Sequence, residues 1–482
     1  MSSMPTEADV VVVGGGTAGI VAAKTAAGFG VRVVLIERER PGGDCLWTGC
    51  VPSKALLAAA STAATIRDAR SFGIDVGQPR VDFPRVMAHV SRAIAEIAPI
   101  DSPEALTEAG VTVVAGDAVF TGPGTVAVGS GSLRFGQAII TTGASPSIPP
   151  ISGLHSTAYL TSETLWSLTS LPERLLIIGA GTVGCEMAQA FARLGSAVTL
   201  VGRAETILPR EDASASAVLS AALTDEGVHI LTSTTVTRID DGKAVTDSGL
   251  ACTFDEVLVA TGRTPRTTGL GLDAAGVSLK EHGYVVVDDH LRTTNPRIWA
   301  AGDLTGHPQF THVAGMHGSL AASNAVLGVL RKIDKTGTPR VTFTDPEIAS
   351  AGIDVRTAKR IPGLRLQTLG HEDVDRAVTE GKTTGFTTLV LDGKRRIVGA
   401  SVVGPRAGET IGELILAVRQ GLRTRDLAGA THPYPTYNDG PWNAAVGDVR
   451  SQLSTPVVSR ALNTLAKARG RWIVRRERGS RQ

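Results

Sequence analysis

Two cysteines five positions apart stand in the stretch Gly42-Gly43-Asp44-Cys45-Leu46-Trp47-Thr48-Gly49-Cys50-Val51-Pro52-Ser53-Lys54. Thiols that close can form a small-ring disulfide with no other partner. Cys50 runs straight into a helical pattern, Ala55-Leu56-Leu57-Ala58-Ala59-Ala60. A helix N-terminus stabilises a thiolate, lowers its pKa and makes it a better electron donor or leaving group. Half of a zinc site and a structural staple are the other uses of such a pair. Zinc takes four ligands, and the remaining cysteines, Cys185 and Cys252, are single residues without CxxC-like spacing or an adjacent His. A staple suits a secreted chain, and the polar opening Met1-Ser2-Ser3-Met4-Pro5-Thr6-Glu7 has no basic segment followed by an apolar one. These residues favour a redox-active disulfide, with no metal site expected.

The elements needed to serve that disulfide are legible around it. Val10 to Val13 reads as a buried strand, Gly14-Gly15-Gly16-Thr17-Ala18-Gly19 as a turn, and Ile20 to about Gly28 as a helix. The strand Val31 to Ile36 then ends in Glu37, 18 residues after Gly19. This is GxGxxG between strand and helix, with an acid placed to hold a ribose hydroxyl while the glycines let the backbone approach a pyrophosphate. An internal repeat follows. Leu175 to Ile178 is a strand, Gly179-Ala180-Gly181-Thr182-Val183-Gly184 its turn, Cys185 to Leu194 its helix, and Val198 to Val201 the next strand. Here the position 18 residues after the last glycine is Gly202, followed by Arg203 and, seven further on, Arg210. A missing acid with arginines nearby suits a 2′-phosphate, so NADPH is expected over NADH.

The chain of 482 residues allows about three domains. It is 42% hydrophobic and 20% charged with a formal net charge of +2, which argues against a nucleic-acid binder. No run reaches the length of a membrane span, and a cytoplasmic location is expected. The tail Arg469 to Gln482 is basic around Trp472-Ile473-Val474 and reads as a solvated or frayed end with no membrane role.

The cysteine stretch resembles, almost letter for letter, the active-site segment of the class I flavoprotein disulfide reductases (pyridine nucleotide-disulfide oxidoreductases). The resemblance covers about residues 8 to 465 with its motifs in order. Gln137-Ala138-Ile139-Ile140 runs into Thr141-Thr142-Gly143-Ala144-Ser145-Pro146, which is similar to the family's ATGxxP crossing; Ala260-Thr261-Gly262-Arg263-Thr264-Pro265 resembles ATGRxP, and Ala300-Ala301-Gly302-Asp303 resembles AAGD. It implies an α/β fold with two Rossmann-like dinucleotide-binding domains, the NADP domain inserted in the FAD domain, plus a C-terminal α+β dimerisation domain. The implied boundaries are 1–150 and 273–338 for FAD, 151–272 for NAD(P), 339–466 for dimerisation and 467–482 for the tail. FAD would be held by Gly14, Gly16, Gly19, Glu37, Gly143, Gly262 and Asp303, and NADPH by Gly179, Gly181, Gly184, Arg203 and Arg210. Lys54 would pair with Glu186 beside the flavin. Electrons would pass from NADPH to FAD to the Cys45–Cys50 disulfide, with Cys50 facing the flavin and Cys45 exchanging with a small disulfide or thiol-reactive substrate.

One stretch departs from most of the family. Where an acid–base His and its orienting Glu are usual (HPTxxE), His432-Pro433-Tyr434-Pro435-Thr436-Tyr437-Asn438-Asp439 places Tyr434 and Asp439, which would reach the pocket from the second subunit of a homodimer. A tyrosine is a poor general base near neutral pH. His432 could substitute only if the loop were re-aimed; on a strand it would share a face with Tyr434. The mercuric reductase branch also carries tyrosine here, and its Arg-Glu-Asp triplet is matched by Arg210-Glu211-Asp212. That branch's C-terminal vicinal cysteines have no counterpart, since no cysteine follows Cys252, and its N-terminal metal-binding module is not expected. A disulfide reductase is the favoured function; a mercuric or other metal-ion reductase, a dihydrolipoamide dehydrogenase-like enzyme and a low-turnover redox-sensing flavoprotein are the alternatives.

Overall fold

The computed structural model describes residues 4–479, with side chains to residue 476. The chain forms two compact units, Met1–Pro209 with Leu223–Asp334, and Arg210–Ala222 with Lys335–Gln482.

The first unit is built on two mainly parallel sheets. A seven-stranded sheet contains β1 (Glu7–Val13), β2 (Val33–Glu37), β3 (Val111–Ala115), β4 (Ala118–Gly122), β5 (Thr125–Val128), β6 (Gly131–Ile140) and β16 (Ile298–Ala300). Its order is β3-β2-β1-β6-β5-β4, and β16 pairs with the end of β6 that β5 leaves free. Strands β3, β2, β1, β6 and β16 are parallel. Side chains alternate across a strand. Val11 and Val13 therefore enter one core with Ile36, Phe120 and Ile140, while Val10 and Val12 enter another with Leu35, Ile139 and the helices Thr17–Gly28 and Thr311–Leu327. Burial on both faces explains why β1 reads as an unbroken apolar run rather than an alternating one.

The second sheet holds β8 (Arg174–Ile178), β9 (Ala197–Val201), β10 (His229–Leu231) and β14 (Glu256–Val259), in the parallel order β10-β9-β8-β14. An antiparallel trio, β11 (Val236–Asp240), β12 (Lys243–Thr246) and β13 (Ala251–Thr253), lies between β10 and β14 in sequence. The chain enters this sheet through β7 (Ala144–Pro146) and leaves through β15 (Arg263–Pro265), and these two crossings pair antiparallel with each other. The insertion of one dinucleotide unit into another is thus visible in the strand pairing.

The second unit is an antiparallel sheet of β17 (Arg340–Thr342), β18 (Glu347–Gly352), β19 (Arg365–Gly370), β20 (Phe386–Leu391) and β21 (Ile397–Gly404), ordered β17-β18-β21-β20-β19. Ala349, Leu389, Leu391 and Val402 share a core with Ile411, Leu414 and Ala444 of the helices Ala407–Gln420 and Asp439–Leu453. The segment opening with Arg210 belongs to this unit. Glu211 accepts from Arg340 at 3.0 Å and from Ser350 at 3.1 Å, and Asp212 pairs with Lys359 at 3.1 Å. Arg210 accordingly falls in a different unit from Arg203, and two residues of the triplet tie the segment down.

Two local expectations are corrected. Residues 431–436 form a loop, so His432 and Tyr434 do not share a strand face. The tail is no frayed end: a helix runs from Pro456 to Gly479 through the boundary expected at 466/467, and only Ser480-Arg481-Gln482 lie outside the described residues. Among the described residues no helix is long and apolar enough to cross a membrane.

Candidate active site

Cys45 lies in the short helix Gly43–Trp47, and Cys50 is the first residue of the helix Cys50–Asp68. Glycine is required around them for space. A Cβ on Gly43 would stand 2.6 Å from Gly16 Cα, and one on Gly49 would stand 2.7 Å from the Asp44 carbonyl oxygen. The cysteine segment is thereby seated against the first GxGxxG turn.

Both cysteines are free thiols, Cys45 half-buried and Cys50 exposed. Cys50 has no competing cap, because the residue before its helix is Gly49. The Cys45 thiol hydrogen-bonds to Cys50 and is the main influence lowering its pKa, to about 6; the Thr311 hydroxyl, 3.1 Å from the sulfur, and the Lys54 ammonium pull the same way, against the partial desolvation of the sulfur and the Glu186 charge. The same hydrogen bond, then burial, pushes Cys45 well above the ordinary thiol range. The reduced pair therefore carries its charge on Cys50 and its proton on Cys45. Alkylation of Cys50 in the reduced protein should fall off only below about pH 6, and Thr311→Val should move that midpoint up, as followed by iodoacetamide incorporation against pH.

Lys54 Nζ lies 2.9 Å from Glu186 Oε2, joining the helix after Cys50 to the helix Thr182–Leu194 of the second dinucleotide unit. Glu186 is buried. A carboxylate removed from water holds its charge only beside a partner, so this pair fixes both side chains. Trp47 donates to the Pro41 carbonyl at 2.8 Å and lies under the Arg40 guanidinium, 3.6 Å from its ring centre. That fixes it as part of the wall beside the cysteines. Cys185 is wholly buried in its helix, as expected of a small packing residue, and burial raises its thiol pKa. His312 stacks on Phe310 at the start of the helix Thr311–Leu327.

The first dinucleotide turn fits FAD. Gly14 has φ +104°, and a Cβ there would stand 2.7 Å from the Thr141 carbonyl oxygen. A Cβ on Gly19 would stand 1.9 Å from the Gly14 carbonyl oxygen, so helix and strand close on each other only with glycine. The helix begins at Gly16 with no side-chain cap, leaving first-turn N–H groups for a pyrophosphate. Glu37 accepts from Gly15 N at 2.5 Å and from Glu39 N at 2.8 Å, which holds its carboxylate at the end of β2. Gly143 and Gly262, with φ +70° and +130°, make the turns into β7 and β15. Asp303 follows Gly302 and lies 3.3 Å from Arg263 Nε; burial raises its pKa against the pull of that arginine.

Sequence reading missed the charge network beside Cys45. Asp44 pairs with Arg263 and with Arg266, and Arg266 reaches Glu163 at 2.5 Å. The partners lie 103 to 222 residues apart in sequence and meet only through folding, so no local signal marked them. Thr311 was equally silent, although it opens the helix after the AAGD-like motif.

The second turn repeats the first. Gly179 has φ +120°, a Cβ on Gly184 would stand 1.8 Å from the Gly179 carbonyl oxygen, and the helix starts at Gly181 with no side-chain cap. These residues suit a second dinucleotide. Arg203 is exposed just past β9.

In the second unit the three residues of the departing loop take separate partners. The Tyr434 hydroxyl donates to Asp375, which raises its pKa above the usual phenol value. Asp439 is buried and accepts from Thr436 N at 3.1 Å; it does not orient Tyr434 by a hydrogen bond. His432 pairs with Glu413 at 2.8 Å and packs near Trp442. Asp375 and Glu413 are thus the orienting acids that sequence did not reveal.

Residues 8–318 match the pyridine nucleotide-disulphide oxidoreductase family and residues 338–445 its dimerisation domain. The mercuric reductase of Streptomyces lividans is 38% identical over 443 residues, covering 89% of this chain and 93% of that protein. The dihydrolipoyl dehydrogenase of Chlamydia pneumoniae is 34% identical over 447 residues, covering 90% and 96%. Among solved structures, the Cu(II) complex of the HOCl-induced flavoprotein disulfide reductase RclA from Escherichia coli shares a TM-score of 0.83 at 28% identity, covering 92% of this chain and 99% of that chain. LpdA from Mycobacterium tuberculosis gives 0.84 at 28% with the same coverage. With the dithiol, both glycine turns and the dimerisation domain in place, the chain belongs to the pyridine nucleotide-disulphide oxidoreductases, flavin-dependent enzymes that use FAD and NAD(P)H.

Proposed function

We propose that the protein is an NADPH-dependent reductase of a small disulfide or related thiol-reactive substrate, acting through the Cys45–Cys50 pair. The observation that carries this reading is the setting of the two sulfurs: Cys50 opens a helix with the Thr311 hydroxyl 3.1 Å from its sulfur, and these, with Lys54, favour the thiolate on Cys50 and leave the proton to Cys45. FAD, when bound, supplies two-electron exchange between the nicotinamide and the pair. Lys54, locked by Glu186, holds the charge on Cys50. Cys45 is the sulfur that exchanges with substrate, its proton passing to the Cys50 thiolate along the hydrogen bond between them as it attacks. Tyr434, held protonated by Asp375, suits a donor to the departing thiolate better than a base; it and Asp439 would come from the second subunit of a homodimer. His432 is committed to Glu413.

NADPH preference rests on more than a missing acid. A Cβ on Gly202 would stand 2.7 Å from Ala180 Cβ, whereas the first turn has Gly15 opposite Glu37. Ala180 thus fills the space an acidic residue at 202 needs, and position 202 itself presents no carboxylate to a 2′-phosphate. Arg203 supports the phosphate; Arg210, in the other unit, carries less of the argument. Ala180→Gly with Gly202→Glu should shift the ratio of kcat/KM for NADPH over NADH toward NADH by about tenfold or more, while Gly202→Glu alone should impair both nucleotides.

A second reading, reduction of a soft metal ion, is favoured by the 38% identity to a mercuric reductase and by a paired thiol and thiolate, which are good soft-metal ligands. The neighbouring RclA structure is a Cu(II) complex. Steady-state NADPH oxidation tests the two readings. Stimulation by a low-molecular-weight disulfide, lost in Cys45→Ser, supports the first, and Hg(II) stimulation alone supports the second. Turnover no faster than oxygen consumption with every acceptor would leave a redox sensor.

A further inference from the structure

The helix Pro456–Gly479 lies beyond the residues matched to the dimerisation domain, which end at 445. It carries seven basic residues, from Arg460 to Arg478, against one acid, Glu477. Helical spacing sorts them. Val458, Leu462, Leu465 and Trp472 recur at four, three and seven residues and form one stripe, flanked by Ile473, and all five are exposed. Arg460, Lys467 and Arg471 fall on the opposite side, together with the exposed Val474.

Within the stripe, the Arg469 and Arg476 guanidinium groups lie 4.6 and 5.2 Å from the Trp472 ring centre. Such side chains rest their stems and planes on apolar surface while keeping the charge at its edge.

We propose that this helix is a docking surface for an anionic phospholipid bilayer, lying in the headgroup plane with Leu462, Leu465 and Trp472 inserted. Charge complementarity selects this occupant. The helix is strongly cationic in a chain whose net charge is only +2, so its charge is local to this element. Anionic headgroups attract each nearby Lys or Arg, and a basic polar face opposite Leu, Val and Trp is the pattern of an interfacial helix. A second copy of the helix is disfavoured, because Arg469 and Arg476 occupy the same seam as the apolar residues and would meet like charges. A nucleic acid would answer the arginines and leave the apolar stripe in water. The sequence alone read as a mixed tail; the helix gathers Val458, Leu462, Leu465 and Trp472 on one side, with Arg469 and Arg476 lying among them.

The test is co-sedimentation of the full-length flavin-loaded protein with vesicles of phosphatidylglycerol and phosphatidylcholine, against pure phosphatidylcholine. The expected result is at least roughly a tenfold stronger partition onto the anionic vesicles, reversed by about 0.5 M salt, where screening is short-ranged. Leu462→Glu with Leu465→Glu should abolish it, and Arg471→Glu with Arg475→Glu should weaken it about tenfold or more. Both pairs are exposed, so flavin absorbance and NADPH–dye activity should be unchanged. Equal partition onto both vesicle types, no partition, or partition untouched by either double variant would overturn the proposal. So would loss of dimer mass in the leucine variant without any vesicle binding, which would assign the stripe to a second copy.

Discussion

Cys50→Ala should lower disulfide-reductase turnover by about 10³-fold or more while NADPH oxidation by a small dye continues. The expected loss is of the size seen when a covalent nucleophile is removed. Cys45 alone cannot store two electrons as a disulfide, so the path beyond FAD ends there. The variant also separates this account from simple loss of a thiol. The hydrogen bond to Cys50 is the main reason Cys45 holds its proton so tightly. Without it, the alkylation midpoint of Cys45 should fall toward the ordinary thiol range near 8.5, stopping above it because burial remains. Cys45→Ala should do the opposite to Cys50, raising its midpoint from about 6, since Cys45 is the first cause of that depression. An unchanged Cys45 profile in Cys50→Ala would show that the two sulfurs are not coupled.

Lys54→Met should reduce turnover by about 10²-fold, comparable to removing one charge-stabilising donor from an active site. It should also raise the Cys50 midpoint, because the ammonium that favours the thiolate is gone while the Glu186 carboxylate stays. The buried carboxylate left without its partner should cost about 1–3 kcal/mol of stability, less than a fully buried pair because the Lys54 side chain is 37% exposed. Glu186→Gln should move the Cys50 midpoint down, since Glu186 is the charge opposing the thiolate. Opposite shifts from the two halves of one ion pair would be hard to produce by general loosening. Shifts of the same sign would mean that Lys54 and Glu186 act on the cysteine only through packing.

The parts of this site that sequence revealed are those governed by short-range rules. The β1 run, the glycines that let Gly14 and Gly19 close on each other, and the cysteines at a helix start are each fixed by neighbours within about twenty residues. The Lys54–Glu186 pair came only through family resemblance, because 132 residues separate its members. Thr311, Asp375 and the Asp44–Arg263–Arg266–Glu163 network depend on long-range folding, and each residue alone is an ordinary polar side chain. Gly202 shows a finer limit. The sequence reads it as a lost acid, but the crowding of an added Cβ by Ala180 Cβ required coordinates. The C-terminal helix failed for another reason: charges and apolar residues counted together look mixed, and only the helical period gathers Val458, Leu462, Leu465 and Trp472 into a stripe.

The central claim is that electrons from NADPH come to rest on Cys45 and Cys50. An anaerobic NADPH titration of the flavin-loaded protein, followed by its absorbance spectrum, tests it most directly. The account predicts a long-wavelength band after two electrons per chain, from the Cys50 thiolate beside the oxidised flavin, and its absence in Cys50→Ala. Direct bleaching of the flavin with no such band would contradict it, because the cysteines would then not be accepting electrons.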